Sequence, residues 1–485
     1  MRISLDFGVR VSGRIRALAL AILTISLPAC TQSPDPHQGR PPNIVVILAD
    51  DLGYGDLGVQ GASVSVTPRI DRLAAEGVRM TEFYAAHPTC SPSRAGLLTG
   101  RYQHRFGFES NPAPVHQTDP NYGLPVTEAT LAERLRDQGY ATGMIGKWHL
   151  GYQDDKAPEA RGFDVFYGLR HGSMAYVPTG PSGLKTVFRG REVEPMPAHT
   201  TEAFADEAVS FIRDHRQSPF FLYVAFTAVH APMQSTEPYL SRYSDVADPR
   251  RRAFLAMLTA LDDGVGRIVD EIDRNGLAED TLIIFTSDNG GPTWQTTSSN
   301  GPLNGVKALL LEGGIRVPAI FRRPGELPAG RVLATPAIGQ DIAATVLRTA
   351  GAPGTEDLDG RDLIPFLEGS RAGPVHRALY WRALSQGAAR EGDWKILKAD
   401  DAWFLFNLRT DPGERRNLAS AEPERLTRMR QDWERWSSEM MAPQWVREDL
   451  PGGENRPREL KKLIEDYVAG APVNPREVLY GGGPE

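Results

Sequence analysis

The residues able to do chemistry in this chain stand in short, separated runs. Cys90 opens the run Cys90-Ser91-Pro92-Ser93-Arg94 within residues 86–101. Pro92 between two serines marks a helix start, with Pro92 near the first helical position and Ser91 or Ser93 able to cap it. A cysteine there lies at the positive end of the helix dipole, and Arg94 adds a fixed cation one turn on. Such a position favours an anion or a nucleophile. The alternative is a buried structural cysteine, on residue type alone the more common case. Asp50 and Asp51 are adjacent carboxylates, costly side by side unless a cation neutralises them. They read as a metal site, or as a solvated turn before Gly53. Lys147 and His149 alternate around Trp148, which in an extended chain puts a cation and a titratable base on one side. A lone histidine is more often a structural hydrogen-bonding group. Asp288 and Asn289 add further oxygen donors. With Asp50 and Asp51 they form a hard donor set lacking a His-Cys cluster, which selects Ca²⁺ or Mg²⁺ over Zn²⁺.

The elements that must position these groups follow from the hydrophobic pattern. Asn43–Leu48, Tyr140–Ile145, Phe220–Thr227 and Thr281–Phe285 are apolar runs of strand length. Asn43–Leu48 and Thr281–Phe285 share one pattern, that of a strand buried on both faces of a parallel sheet. Asp50/Asp51, Lys147/His149, His230 and Asp288/Asn289 follow these runs, at the carboxyl ends where open α/β sheets place ligands. Helices are expected from Thr67-Pro68, from the Cys90 run, over Thr127–Gln138, Thr201–Asp214 and Phe254–Asn275, and from Gln340 through Leu347. Residues 102–125, rich in Pro, Asn and aromatic groups, are expected to wall the substrate cleft. From about Val375 the texture changes to short antiparallel strands, at Ala378–Trp381, Trp394–Lys398 and Trp403–Leu408, before a charged helix over about Glu422–Glu439. The fold class is therefore α/β: a large mixed, mostly parallel sheet flanked by helices, with a small C-terminal antiparallel sheet plus helix.

The run Cys90 to Arg101 resembles the defining motif of the type I, formylglycine-dependent sulfatases of the alkaline phosphatase superfamily. Leu52-Gly53-Tyr54-Gly55-Asp56-Leu57-Gly58 and Gly146-Lys147-Trp148-His149-Leu150-Gly151 resemble two more of that family's motifs. So does the block from Gly301 to Lys307 with Glu312 to Pro318, although Ala308-Leu309-Leu310-Leu311 replaces the usual Gly- and Tyr-containing pattern. The resemblance spans roughly residues 42–440 and implies an alkaline phosphatase-like fold. It implies that Cys90 is oxidised to the aldehyde formylglycine by a formylglycine-generating enzyme. It further implies that one Ca²⁺ is held by Asp50, Asp51, Asp288 and Asn289 with the Cys90 group. By the same resemblance, a hydrated formylglycine attacks sulfur, Lys147 and Lys307 stabilise the transferring group, and Arg94 positions the nucleophile. His230 is then the acid for the leaving alcohol, and His149 the base that lets the covalent sulfate be expelled.

The N-terminus reads as an export signal. Arg2, Arg10, Arg14 and Arg16 precede an apolar stretch, Ala17–Leu27, that is too short to span a bilayer. Leu27-Pro28-Ala29-Cys30 resembles a bacterial lipobox, so the expectation is a protein of the periplasm or cell surface, anchored through a lipid on Cys30. Ordinary signal-peptide cleavage is the alternative. The expected organisation is a signal peptide at 1–29 and a tether at 30–42. A catalytic domain at 43–374, a small subdomain at 375–440 and a Pro- and Gly-rich tail at 441–485 follow. Cys30 and Cys90 are the two cysteines. Lipidation of one and oxidation of the other would leave no thiol for a disulfide. Removing residues 1–29, with four Arg and one Asp, takes the formal charge from −7 to −10, which does not suit nucleic-acid binding. An anionic substrate must then be met by local cations. The expected partner is a sulfated carbohydrate or another sulfate ester. The rival readings are a phosphonate or phosphodiester hydrolase of the same superfamily and a non-catalytic glycan-binding lipoprotein.

Overall fold

The computed structural model describes residues 4–5, 8–10, 40–111, 119–178, 187–445 and 457–480. Met1–Arg40 and Pro41–Glu485 form separate units, and the fold is that of the second. Cys30 and most of the expected signal peptide lie outside the described residues. No helix among the described residues is long and apolar enough to cross a membrane.

The second unit is built on a sheet of β1 (Asn43–Ala49), β2 (Val78–Tyr84), β3 (Ala141–Lys147), β4 (Val165–Leu169), β5 (Val187–Arg189), β6 (Glu192–Glu194), β7 (Phe220–Ala225), β8 (Thr281–Ser287), β9 (Arg316–Arg322), β10 (Arg331–Leu333) and β11 (Ala337–Ile338). Its order is β10-β2-β9-β8-β1-β7-β3-β4-β5-β6, with β11 also on β2. β1 pairs in parallel with β7 and β8, and β3 with β7 and β4, while β9 runs antiparallel between β2 and β8. The apolar runs form the central strands because both faces are covered. Ile44, Val46 and Leu48 of β1 enter one core, while Val45, Ile47 and Ala49 enter the other. Helices Cys90–Thr99, Leu131–Arg136 and Gln340–Thr349 cover the first face. Pro68–Ala75, Thr200–His215 and Pro249–Arg274 cover the second.

Two strands of the sheet carry no plain sequence signal. β2 alternates buried Val78 and Met80 with half-buried Arg79 and Thr81. β9 contains Pro318, a residue that normally argues against an interior strand. The register with β2 jumps there, between Ala319↔Met80 and Val317↔Phe83, and such an irregularity is where a sheet accommodates proline.

A second sheet of β12 (Leu379–Ala383), β13 (Gln386–Glu391), β14 (Trp394–Ala399) and β15 (Ala402–Asn407) is antiparallel throughout. Helix Pro423–Ser438 packs on it through Met429, Trp433 and Trp436. The expected tail is not featureless: Pro457–Ala469 is a helix that buries Leu460, Leu463 and Ile464 in the same core. That core also takes in Val306, Leu309, Leu310, Leu311 and Ile315. The leucine run that departs from the family pattern thus joins the large domain to the small sheet.

Candidate active site

Asp50 and Asp51 follow β1, Lys147 ends β3, His230 follows β7, and Asp288 and Asn289 follow β8. Cys90 begins the helix Cys90–Thr99, which enters the site from beyond β2. Thr89 takes the N-cap position, ahead of the two serines expected there, and Pro92 lies inside the first turn. Ser91 turns away: its hydroxyl donates to the His149 carbonyl, and its N–H donates to Asn111 Oδ1. In the described part of 102–125, Tyr122 and Phe108 pack against Trp445, while Glu109, Ser110 and Asn111 line a cavity beside His87, Pro88 and Thr89, next to Cys90.

A network of buried charges ties these ends together. Arg94 donates from Nε and Nη2 to Asp288 Oδ2, at 3.0 and 2.7 Å, and from Nη1 to the Lys147 carbonyl at 2.8 Å. Lys147 Nζ lies 2.6 Å from Asp50 Oδ2. Lys307 Nζ lies 2.6 Å from Asp51 Oδ1 and 3.1 Å from Cys90 Sγ. Asp51 N donates to Asp288 Oδ1, and Asn289 Nδ2 donates to Asp51 Oδ1. Asp51 and His149 both have φ of +63°, a left-handed conformation that side chains disfavour and that concentrates at functional sites. Lys147 and His149 are therefore not joined by the extended segment expected of them. His149 instead turns against Gly172, where a Cβ would fall 2.6 Å from its Nε2.

These surroundings set the protonation states. Burial pushes Asp50 up, but Lys147, His230 and Arg94 outweigh it and hold the carboxyl below its ordinary range. Asp51 is lowered likewise, burial being overcome chiefly by Lys307 and His230. The Cys90 thiol behaves against expectation. Desolvation pushes it up to about 12, with Lys147 and Lys307 unable to offset the loss of water. A helix start and a nearby arginine do not make a thiolate when the sulfur is 1% exposed. His149 is driven well below its ordinary value by burial and then by Lys147, Arg94 and Lys307. His230 is lowered by burial too, but Asp51 and Asp50 draw it back up.

The donor chemistry fits a hard cation. Asp51 Oδ2 and Asn289 Oδ1 are buried with no hydrogen-bond partner. Donor atoms of Asp50, Asp51, Cys90 and His230 all lie within 4.8 Å of one another, so a histidine and a cysteine stand beside the carboxylates, unlike the all-oxygen set expected from the sequence. His230 Nδ1 sits 2.6 Å from the Ala231 carbonyl, which can only accept, so Nδ1 carries a proton and Nε2 faces Asp51 Oδ2 at 3.6 Å. Every residue singled out as a candidate, from Asp50 to Lys307, thus belongs to one constellation. Ser91, expected as a possible helix cap, donates to the His149 carbonyl instead, while Asn111 was not singled out and nothing in its spacing marks it.

Paired lysines, an arginine, a carboxylate cluster fit for a dication and two histidines at one sheet edge suit an ester hydrolase acting on a tetrahedral anion. A sulfatase family model matches residues 42–352. Steryl-sulfatase of Mus musculus is 33% identical over 532 residues, covering 84% of this chain and 84% of the relative. N-acetylgalactosamine-6-sulfatase of Mus musculus is 36% identical over 409 residues, covering 77% of this chain and 76% of the relative. Among solved structures, Ps i-CgsB in complex with k-i-k-neocarrahexaose matches with a TM-score of 0.78 at 32% identity, covering 84% of this chain and 95% of that one. The PsFucS1 sulfatase from Pseudoalteromonas sp. matches at 0.70 and 29% identity, covering 83% of this chain and 91% of the other. The chain belongs to the sulfatase family and is a sulfuric ester hydrolase.

Proposed function

We propose that this enzyme is exported and removes sulfate from a sulfated glycan, with formylglycine made from Cys90 as nucleophile and Ca²⁺ as cofactor. The observation that carries the reading is the contact of Lys307 Nζ with both Cys90 Sγ and Asp51 Oδ1, which brings a cation, the reacting position and a metal-fit carboxylate together. Its similarity to N-acetylgalactosamine-6-sulfatases and to a protein solved with neocarrahexaose supports a carbohydrate substrate. So does a cavity of about 550 Å³ at His230, with Ser173, Gln295 and Arg250 in its walls. The Arg-rich start, the short apolar stretch and Cys30 support export and a lipid anchor.

Formylglycine, on hydration, would supply one hydroxyl to attack sulfur and a second whose deprotonation re-forms the aldehyde and expels the sulfate held on the first oxygen. Asp50, Asp51, Asp288 and Asn289, with the group at position 90, would hold Ca²⁺, which would supply positive charge to neutralise and polarise a bound sulfate ester. The chain's own residues do the rest. Arg94, fixed by Asp288 and the Lys147 carbonyl, orients the start of the nucleophile helix. Lys147 and Lys307 meet the negative charge on the transferring group. His149, kept neutral by burial and its three cationic neighbours, is fit to accept a proton. His230, whose Nε2 faces Asp51 and which opens on the cavity, is the histidine placed to pass a proton to the leaving oxygen.

The test is the mass of the tryptic peptide Met80–Arg94, from protein co-expressed with a formylglycine-generating enzyme. Loss of the sulfur and two hydrogens of Cys90 with gain of one oxygen, the change from CH2SH to CHO, is expected; exchange of sulfur for oxygen alone would be serine and would not count. An intact thiol, or turnover that survives Cys90→Ala, refutes the reading.

A further inference from the structure

Lys307 lies on neither a helix nor a strand, yet its ammonium must reach a buried site. A loop side chain is placed well only if something outside the loop fixes the backbone that carries it. The residue after it, Ala308, has φ of +72°, a conformation that a residue with a Cβ disfavours and that persists only when its surroundings impose it. Its N–H donates to the Pro88 carbonyl at 2.9 Å, two residues before Cys90.

The side chain that holds this turn comes from the small sheet. Gln386, the first residue of β13 and 2% exposed, closes its amide on the loop from two sides. Leu310 N donates to Gln386 Oε1 at 2.9 Å, and Gln386 Nε2 donates to the Ala308 carbonyl at 2.9 Å. Two further contacts secure the same loop. Glu312 N donates to Glu414 Oε2 at 2.6 Å, and Asn304 Nδ2 donates to the Tyr467 carbonyl at 3.0 Å. Lys307 N donates to the Gly291 carbonyl at 3.3 Å, and the two Gln386 bonds, on Ala308 and Leu310, are the side-chain contacts closest to Lys307 along the loop and bracket Leu309.

We propose that Gln386 is a positioning residue for Lys307: it touches no reacting atom, and acts by splinting the turn at Ala308 that aims the ammonium at position 90. The inference rests on the role given to Lys307 above. It makes the small C-terminal sheet part of the catalytic apparatus, with the Gln386 amide as its hydrogen-bonded link to the turn at Ala308.

A double-mutant cycle on the full, matured enzyme tests this. The kcat and KM for 4-nitrophenyl sulfate and the affinity for inorganic sulfate are measured for wild type, Gln386→Leu, Lys307→Ala and the double variant, with a thermal melt of each. Gln386→Leu is expected to lower kcat by about ten- to a hundredfold, the scale of a misplaced catalytic group, and to weaken sulfate binding. In the Lys307→Ala background the same substitution should cost nothing further. Wild-type turnover in Gln386→Leu overturns the proposal. So does a full additional loss on top of Lys307→Ala, because the amide would then act on something other than the lysine. Should Gln386→Leu not fold, Gln386→Glu goes through the same cycle with the same deciding outcomes. It retains the acceptor for Leu310 but sets a carboxylate oxygen against the Ala308 carbonyl. Unchanged turnover in Lys307→Ala alone would overturn the role of the lysine, a failure visible before Gln386 is altered.

Discussion

Arg94 directs two N–H groups, from Nε and Nη2, onto a single oxygen of Asp288, and both side chains are fully buried. The second carboxylate oxygen of Asp288 accepts from Asp51 N, so one residue anchors the nucleophile helix and the β1 end together. Removing one member of such a pair strands the other charge away from water. Asp288→Ala is expected to lose about 3–5 kcal/mol in urea unfolding and to abolish turnover. A loss under about 1 kcal/mol would show that Asp50, 3.7 Å from Arg94, suffices as partner.

If His230 protonates the leaving oxygen, the cost of His230→Ala depends on what leaves. Alkyl or sugar sulfates need that proton, and their turnover should fall by about 10²–10⁴-fold. An ester of 4-nitrophenol, whose anion departs unaided, should lose far less. Equal losses across a series of leaving groups would place His230 in metal or sulfate binding instead.

Burial, which pushes the Cys90 thiol up to about 12, makes a kinetic statement about unconverted protein. At pH 8 the native thiol should react with iodoacetamide far more slowly than the same thiol in urea. Comparable rates in the two states would mean that the helix start is open to solvent.

Asp56 gives a pH dependence of stability. It accepts from the N–H groups of Gly53 and Ser299, yet burial pushes its carboxyl up from 3.8 to about 7. The folded protein therefore keeps a proton that the unfolded chain has lost between those values. The contribution is complete below about pH 4 and is lost as pH rises through 7. Asp56→Asn cannot titrate, so wild type should lose about 4 kcal/mol relative to the variant across that window. Unfolding curves at several pH values that stay a constant distance apart would contradict this.

Much of this was legible in the sequence because central parallel strands are apolar from end to end and the chemistry follows them directly. Asn43–Ala49 and Thr281–Ser287 needed only their composition and the acids behind them. Gln386–Glu391 did not: it holds no large apolar residue, and it is a strand because β12 and β14 pair with both its edges. The helix Pro457–Ala469 carried a readable signal, Leu460, Leu463 and Ile464 at helical spacing, behind a Pro- and Gly-rich lead-in. At the site, residue types forecast which groups assemble but not their mutual contacts. The dipole argument for a reactive Cys90 failed because desolvation outweighs a helix terminus and nearby lysines once the sulfur is enclosed. The clamp of Gln386 on the lysine loop could not be seen at all, since nothing local links positions so far apart in the chain.

All ten residues of the helix Cys90–Thr99 are buried, and this bears on the order of events in the life of the chain. If Cys90 is converted as proposed, the folded protein does not present that segment to a second enzyme. Conversion would then have to precede folding. The segments that fasten the Lys307 loop, from Gln386 to Tyr467, leave the ribosome long after Cys90 does. Under that proposal, the contacts that fasten the Lys307 loop cannot form until those later segments have been made.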